Sequence, residues 1–494
     1  MDYKDLNVQL ESAADSWKVT ALTGREALGE LFEFSLTIHP ARHPLHPPAD
    51  PRQLLMRRVR LRFELDGHDE RMIDGIVARV SERRSNERRP RAKGEAPFQW
   101  VVEMVPAAWL LTRSQRSFGY VAQGLDQILR EVLGRVHFTP HEYRLSLSPE
   151  IVEATRGNAP ENTSSQQTNP NGFVLQYEET DWSFLCRLAE QLGVALCFVH
   201  DPAWAKSQRP GEGEVLVLTD QAQGLPSTRL SLVTDVDIEK LERHLAVVPK
   251  TYCLRGYDPT RSAGDDGNAR FLSHSTTVGT SGFGEVIECE GLATDVALLA
   301  PIRAAARARG HERRTGATNT PALAAGCLLD IDDVGISDPP RQRVLWVEHE
   351  LKSGSYSNRF ESVAASLPYR PERRTLRPRV DGVLLGVVEG KVTAGTGTGS
   401  DKVDALGRYS VTLACTQQRT NAIAKVQAYA GTGRGEHSPL LPGTEVLVAF
   451  EAGNPDRPFI VGAVPTEVHT SPATLTNADR NVFHSQHGTL VQYK

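Results

Sequence analysis

Three histidine–glutamate pairs open the pattern HExxH, in which two histidines one helical turn apart bind zinc and the glutamate serves as a base. The pairs begin at residues 141, 311 and 349. The fifth position must hold the second histidine, and here it holds Leu145, Thr315 and Ser353. The sequence therefore predicts no zinc-hydrolase site of this kind.

Other catalytic and binding motifs are also incomplete. A nucleophile elbow around Ser281 would need glycine where Phe283 stands. The acidic stretch after Asp330 begins like a calcium loop, but Val334 and Arg341 occupy ligand positions. The GTGTG stretch at 395–399 lacks the lysine of a phosphate-binding loop. We nominate no catalytic residue and expect a protein that is not an enzyme, although sequence alone cannot pair the carboxylates that a glycosidase would use.

Two histidines near the end of the sequence, His484 and His487, are candidate metal ligands. In a trimer, three such pairs would meet near the axis, and neutral imidazoles bind first-row metals. The alternative is that both are exposed tail residues without a ligand. Apart from this candidate site, we expect no cofactor.

Composition favours a β-rich protein of several domains. The 494 residues allow about three domains, and 40 glycines with 30 prolines suit strands and turns better than a helical bundle. The formal net charge of −5 gives no global attraction to nucleic acid. The six cysteines form no C-x-x-C pair and lie mostly in apolar runs, which predicts reduced core thiols. The sequence begins without the pattern of a secretory signal, so we expect synthesis in the cytosol.

The hydrophobic period changes along the chain. From Ser16 to Pro106 apolar residues alternate, as in Phe32, Phe34, Leu36 and Ile38, which predicts an antiparallel, barrel-like sheet. Leu125, Ile128, Leu129 and Val132 recur at helical spacing before Gly134. The arginine-rich stretch 295–310 predicts a helix with a solvated face, in which Pro301 stands at the first position or at a break.

Residues 173–199 predict a strand, a helix and a second strand. A strand from Phe173 to Tyr177 leads to Thr180 and Asp181, either of which can cap the helix, and Gly193 ends it. A buried strand, 194–199, follows. A packed apolar stripe is enough to explain each of these residues.

Residues 442–464 predict a β-hairpin with a rigid tip. Two apolar runs flank the turn residues 452–457, where Gly453 supplies a positive φ and Pro455 presets φ. We expect Asp456 and Arg457 to lock the loop with a charge-assisted hydrogen bond. The glycine-punctuated strands of 382–464 are typical of a five-stranded OB-type barrel.

The order of residues in two of these stretches resembles the VgrG spike proteins of type VI secretion and the related phage baseplate spikes. LQYEETDWSFLCRLAEQLG resembles a signature of the VgrG hub, and EAGNPDRPFIVG resembles the hairpin of the spike's OB domain. The matching residues are Gln176, Tyr177, Asp181, Phe184, Leu185, Gly193, Gly453, Pro455, Asp456, Arg457, Pro458 and Gly462.

The resemblance implies a mainly β chain with a few helices and four parts. These are a barrel-like hub domain at 1–172, a second hub domain at 173–374, an OB-fold domain at 375–466 and a tail at 467–494. The tail is either the start of a trimeric β-helix or the end of a short spike that relies on a separate tip protein.

The function implied by the resemblance is mechanical. It is that of a homotrimeric hub and spike of a contractile injection machine, which caps the inner tube, punctures a target membrane and is ejected on contraction. The implied partners are two further copies of the chain, the inner tube protein, baseplate proteins, a PAAR-type spike-tip protein and, in some members, effector cargo, but no nucleic acid.

A rival hypothesis from the residues is an OB protein that binds nucleic acid or glycans. It would need an exposed aromatic or basic strip on the barrel. The aromatic residues available in 382–464 are Tyr409, Tyr429, Phe450 and Phe459, with little clustered charge.

Overall fold

The computed structural model describes residues 6–13, 15–40, 50–65, 68–84, 98–156, 172–200, 209–257, 271–279, 282–290, 296–332, 341–389, 403, 407–416, 418–425, 430–431, 434–485 and 488–493. The GTGTG stretch, His487 and Tyr429 lie outside these residues. The α-helices are α1 (Leu125–Gly134), α2 (Pro149–Glu153), α3 (Asp181–Gln191) and α4 (Val296–Ala308). Short 3-10 turns occupy Pro51–Leu54, Ala107–Arg113, Ala222–Gly224 and Glu451–Gly453.

Strands make up about half of the described chain and helices only a small part, which confirms the predicted mainly β class. The first ten are β1 (Asn7–Glu11), β2 (Ser16–Ala27), β3 (Glu33–Pro40), β4 (Arg58–Leu65), β5 (His68–Arg84), β6 (Phe98–Val105), β7 (Gln115–Val121), β8 (Tyr143–Ser146), β9 (Phe173–Thr180) and β10 (Ala195–Val199). The next ten are β11 (Val215–Thr219), β12 (Arg229–Val233), β13 (Ile238–Leu245), β14 (Thr251–Tyr257), β15 (Phe271–Thr277), β16 (Glu285–Cys289), β17 (Glu312–Thr318), β18 (Leu328–Asp332), β19 (Gln342–Lys352) and β20 (Ser355–Ala364). The remainder are β21 (Val383–Val388), β22 (Tyr409–Leu413), β23 (Gln418–Lys425), β24 (Ala430–Gly431), β25 (Arg434–Gly435), β26 (Glu445–Phe450), β27 (Pro458–Val464), β28 (Asn481–His484) and β29 (Leu490–Tyr493).

The chain divides into two compact units that are not continuous in sequence. The first unit comprises Met1–Gln115, Leu125–Ala154 and Thr180–Leu376, and the second comprises Arg116–Gly124, Thr155–Glu179 and Arg377–Lys494. Most of β7 and β9, which pair with each other, thus belong to the second unit. The four predicted domain boundaries stay predictions.

A closed antiparallel ring forms one part of the first unit. The strands run in the order β1-β4-β5-β6-β3-β2, and an additional pairing of β1 with β2 completes the ring. The side chains of Phe34, Leu36 and Ile38 are fully buried, which confirms the predicted alternation on β3. They pack with Leu61 and Phe63 in a core that the ring surrounds.

The same sheet continues from β2 into a second set of strands. The order is β2-β19-β20-β17-β13, and β18 pairs with both β19 and β12. Leu329, Val347 and Phe360 lie at the centre of a separate core on this part of the sheet. Because β2 pairs with both β3 and β19, one long strand connects the two cores.

The strand-helix-strand prediction is confirmed as β9, α3 and β10. Thr180 is the N-cap, since its hydroxyl accepts a hydrogen bond from the N–H of Ser183 at 3.1 Å. Gly193 follows the helix with φ of +69°, and a Cβ there would lie 2.4 Å from Ile302. Only glycine satisfies both the backbone angle and this close approach.

Two expectations for α4 were wrong. Pro301 lies inside the helix, where it removes one backbone hydrogen bond, while Leu299 and Ile302 bury the apolar face that offsets the loss. The arginines do not all face water: Arg303 is 3% exposed and pairs with Glu288 at 3.2 Å. The sequence could not show this, because the carboxylate partner comes from the distant strand β16.

The cysteines are all free thiols. The core prediction holds for Cys186, Cys197, Cys253 and Cys327, which are buried. It was wrong for Cys289, which is exposed, and Cys415 is only half-buried.

A buried carboxyl group in the first unit should make stability depend on pH. Glu214 is 5% exposed, and its carboxyl oxygens accept hydrogen bonds from the N–H of Ala107 at 3.1 and 3.2 Å. Burial raises the pKa of Glu214 from 4.5 to about 8. The folded state therefore holds more protons than the unfolded state between these values, so the free energy of unfolding falls as pH rises through that window.

We predict that Glu214→Gln removes this fall and stabilises the protein at pH 9 by roughly a few kcal/mol, because glutamine stays neutral while retaining an acceptor. Thermal unfolding from pH 5 to pH 9 measures the effect. The exposed Glu239→Gln is the matched control and should keep the wild-type profile. Equal pH dependence in E214Q and the wild type would contradict the prediction.

Candidate functional site

The tip of the β26–β27 hairpin is held by its own backbone. The N–H of Glu451 donates to the carbonyl of Arg457 at 3.0 Å, and the N–H of Asn454 donates to the carbonyl of Glu451 at 2.8 Å. The side chain of Asn454 accepts from the N–H of Asp456 at 3.1 Å. Gly453 has φ of +74°, as predicted, and trans Pro455 follows in the same turn. These hydrogen bonds within the loop make the tip rigid without any contact to another segment.

The rigid tip positions Asp456 to contact strand β9, in another part of the second unit. Its carboxylate is 9% exposed and accepts a hydrogen bond from the N–H of Leu175 on β9 at 2.7 Å. The sequence predicted a bond within the loop and missed this long-range role. The contact joins the two stretches whose wording carries the resemblance, although 281 residues separate them.

The residues around Leu175 enter the core of the second unit. Strands β21, β22, β23, β27 and β26 form a closed five-stranded barrel, which confirms the predicted OB-type architecture. Phe173 and Leu175 pack in the same core as Val411 and Val448 of the barrel. Gln176 is fully buried and donates from its side-chain amide to the carbonyl of Glu179 at 3.1 Å.

The later motif residues lie in the first unit. Phe184 and Leu185 are fully buried on α3. Asp181 is also buried, and Arg135, which follows α1, donates to its carboxylate at 2.7 Å. Together with Gly193, these residues fix α3 rather than forming a reactive site. Of the hairpin residues, Pro458 is buried at the start of β27, while Gly462 lies opposite Leu447 in the ladder.

The histidine–glutamate pair at 349–350 has a structural role. His349 is buried and contacts Glu26 at 3.1 Å through Nε2 and the Tyr356 hydroxyl at 2.7 Å through Nδ1. Arg71 donates to both oxygens of Glu26, at 2.6 and 2.7 Å. Burial alone would raise the pKa of Glu26, but Arg71 and His349 hold it at about 2.

No group of three or more His, Cys, Asp or Glu residues in the described chain is arranged to hold a metal ion. His484 lies on β28 and is exposed. Because His487 is outside the described residues, the metal site at a trimer axis stays a prediction. None of the described helices is long and apolar enough to span a membrane.

At the predicted positions that the structure describes, the barrel surface does not carry the aromatic strip that nucleic-acid or glycan binding would need. Tyr409 is 1% exposed and Phe450 is 6% exposed, and both belong to the core. Phe459 is half-buried. These residues stabilise the barrel rather than offering stacking faces to a ligand.

What the barrel does expose is aliphatic. Val383, Leu385 and Val387 alternate outward along β21 and are 49%, 49% and 40% exposed. On the neighbouring strand β26, Ala449 stands opposite Val383 and Leu447 opposite Leu385. Val461 of β27, which pairs with β26, is 48% exposed. We call Val383, Leu385, Val387, Leu447, Ala449 and Val461 the outer apolar strip.

Comparison with known protein families finds a match in each of the two units. The phage tail baseplate hub (GPD) family matches residues 25–354, two thirds of the chain. The chain belongs to this family. Residues 388–464 match the injector OB domain of type VI secretion systems and phage baseplates, in agreement with the closed barrel.

Individual relatives of this chain include spike proteins of type VI secretion systems. The type VI secretion system spike protein VgrG1c of Pseudomonas aeruginosa is 27% identical over 96% of this hub-family chain, which spans 63% of that relative's length. VgrG1a of the same organism is 26% identical over 96% of the chain and is covered over 72% of its length.

A solved structure shares the fold. The Escherichia coli c3393 protein, described as a component of the type VI secretion system with structural similarity to the T4 bacteriophage tail proteins gp27 and gp5, superposes with a TM-score of 0.59 at 19% identity. The match covers 92% of this hub-family chain and 99% of c3393. It extends the hub and OB architecture to nearly the whole chain.

We predict that Asp456→Ala releases the start of β9 from the barrel of this hub-family protein. The substitution leaves the buried N–H of Leu175 without its acceptor, which costs about 1–3 kcal/mol. Hydrogen–deuterium exchange at Leu175 should therefore become about 10- to 100-fold faster. The exposed Asp381→Ala in the same unit is the matched control and should leave the exchange rate at Leu175 unchanged. Unaltered protection in D456A would show that the contact does not hold β9.

Proposed function

We propose that this chain is a structural hub and spike base of a contractile injection machine and that it acts as a homotrimer. Its hub-family membership, the OB barrel and the spike proteins among its relatives support this role. The described residues form packed sheets and buried ion pairs, and among them we identify no group of side chains arranged for catalysis. The role is mechanical rather than catalytic.

The outer apolar strip is the observation that carries the trimer. A closed barrel already buries its inner face, and the row of half-exposed valine and leucine side chains on its outer face is not covered by other described residues of the chain. Strand β21 presents three such residues in succession, and the register places Leu447 and Ala449 beside them. A second copy with the same strip offers the complementary aliphatic surface, and a rotation that closes after three copies buries all of the strips.

The tail supports the same conclusion. Strands β28 and β29 pair only with each other among the described strands, and Leu490, Val491 and Tyr493 are 53%, 46% and 62% exposed. A two-stranded hairpin without a covered apolar face is marginally stable in water. Association with the same hairpin of two further copies would cover these side chains.

The mechanical model assigns a task to each unit. The first unit, as a trimer, caps the inner tube and meets the baseplate, while the OB barrels form the base of a spike that a tip protein completes. Contraction then drives the spike through a target membrane and ejects it together with any effector cargo. Assembly takes place in the cytoplasm before ejection.

We predict that the complete chain elutes as a species of about 163 kDa, three times the 54.3 kDa protomer, and that Leu385→Asp reduces this mass to that of one protomer. A carboxylate in the strip would be buried without a partner in the trimer, whereas in the monomer it faces water. Light scattering coupled to size exclusion, from low to high micromolar concentration, measures the mass.

Val236→Asp is the matched control, because Val236 is 65% exposed in the first unit and lies outside the strip. This variant should stay at about 163 kDa, three times the 54.3 kDa chain. A wild-type monomer at every concentration, or an L385D variant that keeps the full mass, would overturn the proposed trimer. Circular dichroism confirms that both variants remain folded.

A further inference from the structure

The first unit contains a cavity of about 390 Å³ that the proposed function does not use. It lies between α3, the turn that follows β2, strand β19 and the chain around Tyr369. Val194 and Leu196, which are 1% and 2% exposed, form part of its buried wall, and Trp182 and Trp346 add half-buried aromatic surface. The volume lies in the range of small-molecule and side-chain pockets.

The carboxylates that line this cavity already have partners. Each has a cationic or backbone partner: Glu30 with Arg374 at 2.8 Å, Glu190 with the N–H of Thr375 at 2.7 Å, and Glu361 and Glu372 with Arg313 at 3.3 and 3.9 Å. Arg25 pairs with Glu348 at 2.8 Å and lies over the ring of Trp346. Arg25, Arg313 and Arg374 therefore have carboxylate partners.

Arg309 is the exception among the arginines of the lining. It is 6% exposed, and its guanidinium carbon lies 4.3 Å from the centre of the Tyr369 ring. Among the described residues, Arg309 pairs with no carboxylate: it interacts with the Tyr369 side chain, and its Nε meets no acceptor. A buried cation without an anion is costly, and the tyrosine face supplies only part of what a carboxylate would.

We propose that this cavity binds a carboxylate carried on an apolar body, with the carboxylate on Arg309 and the body between the aromatic and aliphatic walls. Arg309 offers the planar donor geometry that suits a carboxylate. Trp182, Trp346 and the buried valine and leucine exclude water from that contact. The ligand is either a free apolar acid or an acidic residue next to an apolar one in a partner's peptide. The proposal does not depend on the trimer.

Isothermal titration calorimetry of the complete chain with N-acetyl-L-phenylalanine tests the chemistry of the site. We expect saturable binding to the wild type, and affinity at least about tenfold lower for N-acetyl-L-phenylalanine amide, which has the same body without the charge. Because both ligands are measured on the wild-type protein, this comparison does not depend on how any variant folds. Equal affinity for the acid and the amide would overturn the proposal.

The residue is tested with Arg309→Gln, which should lower the affinity for the acid at least about tenfold and leave the weak affinity for the amide unchanged. Arg307→Gln is the matched control, since Arg307 lies in the last turn of α4, two residues before Arg309, but does not line the cavity, and it should bind the acid as the wild type does. Unchanged binding of the acid by R309Q would contradict the assignment.

A second ligand distinguishes the two sources of the carboxylate. The blocked peptide acetyl-Ala-Phe-Asp-Ala-amide carries its only carboxylate on the aspartate side chain. Arg309-dependent binding of this peptide in preference to the free acid supports a partner segment, and the reverse preference supports a small acid. Absence of binding by both ligands would overturn the proposal.

Discussion

The hydrogen bond from the N–H of Leu175 to the carboxylate of Asp456 is the contact on which the organisation of the second unit depends. It is 2.7 Å long and buried, so its loss would leave a backbone donor unsatisfied away from water. The rigid hairpin tip makes it possible, because Gly453 and Asn454 fix the loop before Asp456 reaches β9. Phe173 and Leu175 can then complete the barrel core, and a sequence-distant strand becomes part of this unit.

The first unit depends on a different interaction: buried charged side chains that are paired with side chains of opposite charge. Arg71, Glu26 and His349 connect strands β5, β2 and β19 at the point where the two cores of the long sheet meet. Arg303 joins α4 to β16 in the same way. Such groups are weak evidence of net stability, because desolvation opposes the attraction, but each is strongly destabilising if one partner is removed. They select one arrangement of the strands, which suits the proposed mechanical role.

A buried charge without an opposite charge, or an apolar surface that is not covered, therefore indicates a surface for another molecule. Most buried charges of the described first unit have a clear counterpart, and most aliphatic side chains of its sheets are buried, although Leu245 and Ile287 are exposed. Arg309 in the cavity and the outer apolar strip of the barrel depart from this pattern in opposite ways, one by unpaired charge and the other by uncovered apolar surface. We infer that both are surfaces for other molecules: the strip fits a second copy of the chain, and the cavity fits an acid.

The local elements of this protein follow from short stretches of its sequence. The alternation of Phe34, Leu36 and Ile38, the stop at Gly193 and the turn residues at 453–456 depend on neighbours a few positions away, and the structure contains each as expected. The sequence left the helix cap open between Thr180 and Asp181, and the structure shows that it is Thr180. The order of residues in two of these stretches also indicated the hub family. The packing of distant segments determines which arginines on and after α4 are buried, that Tyr409 and Phe450 lie in the barrel core, and that β9 contacts Asp456. These outcomes depend on partners far away in the chain, and side-chain period alone carries no information about which distant residue will supply the opposite charge or the missing acceptor.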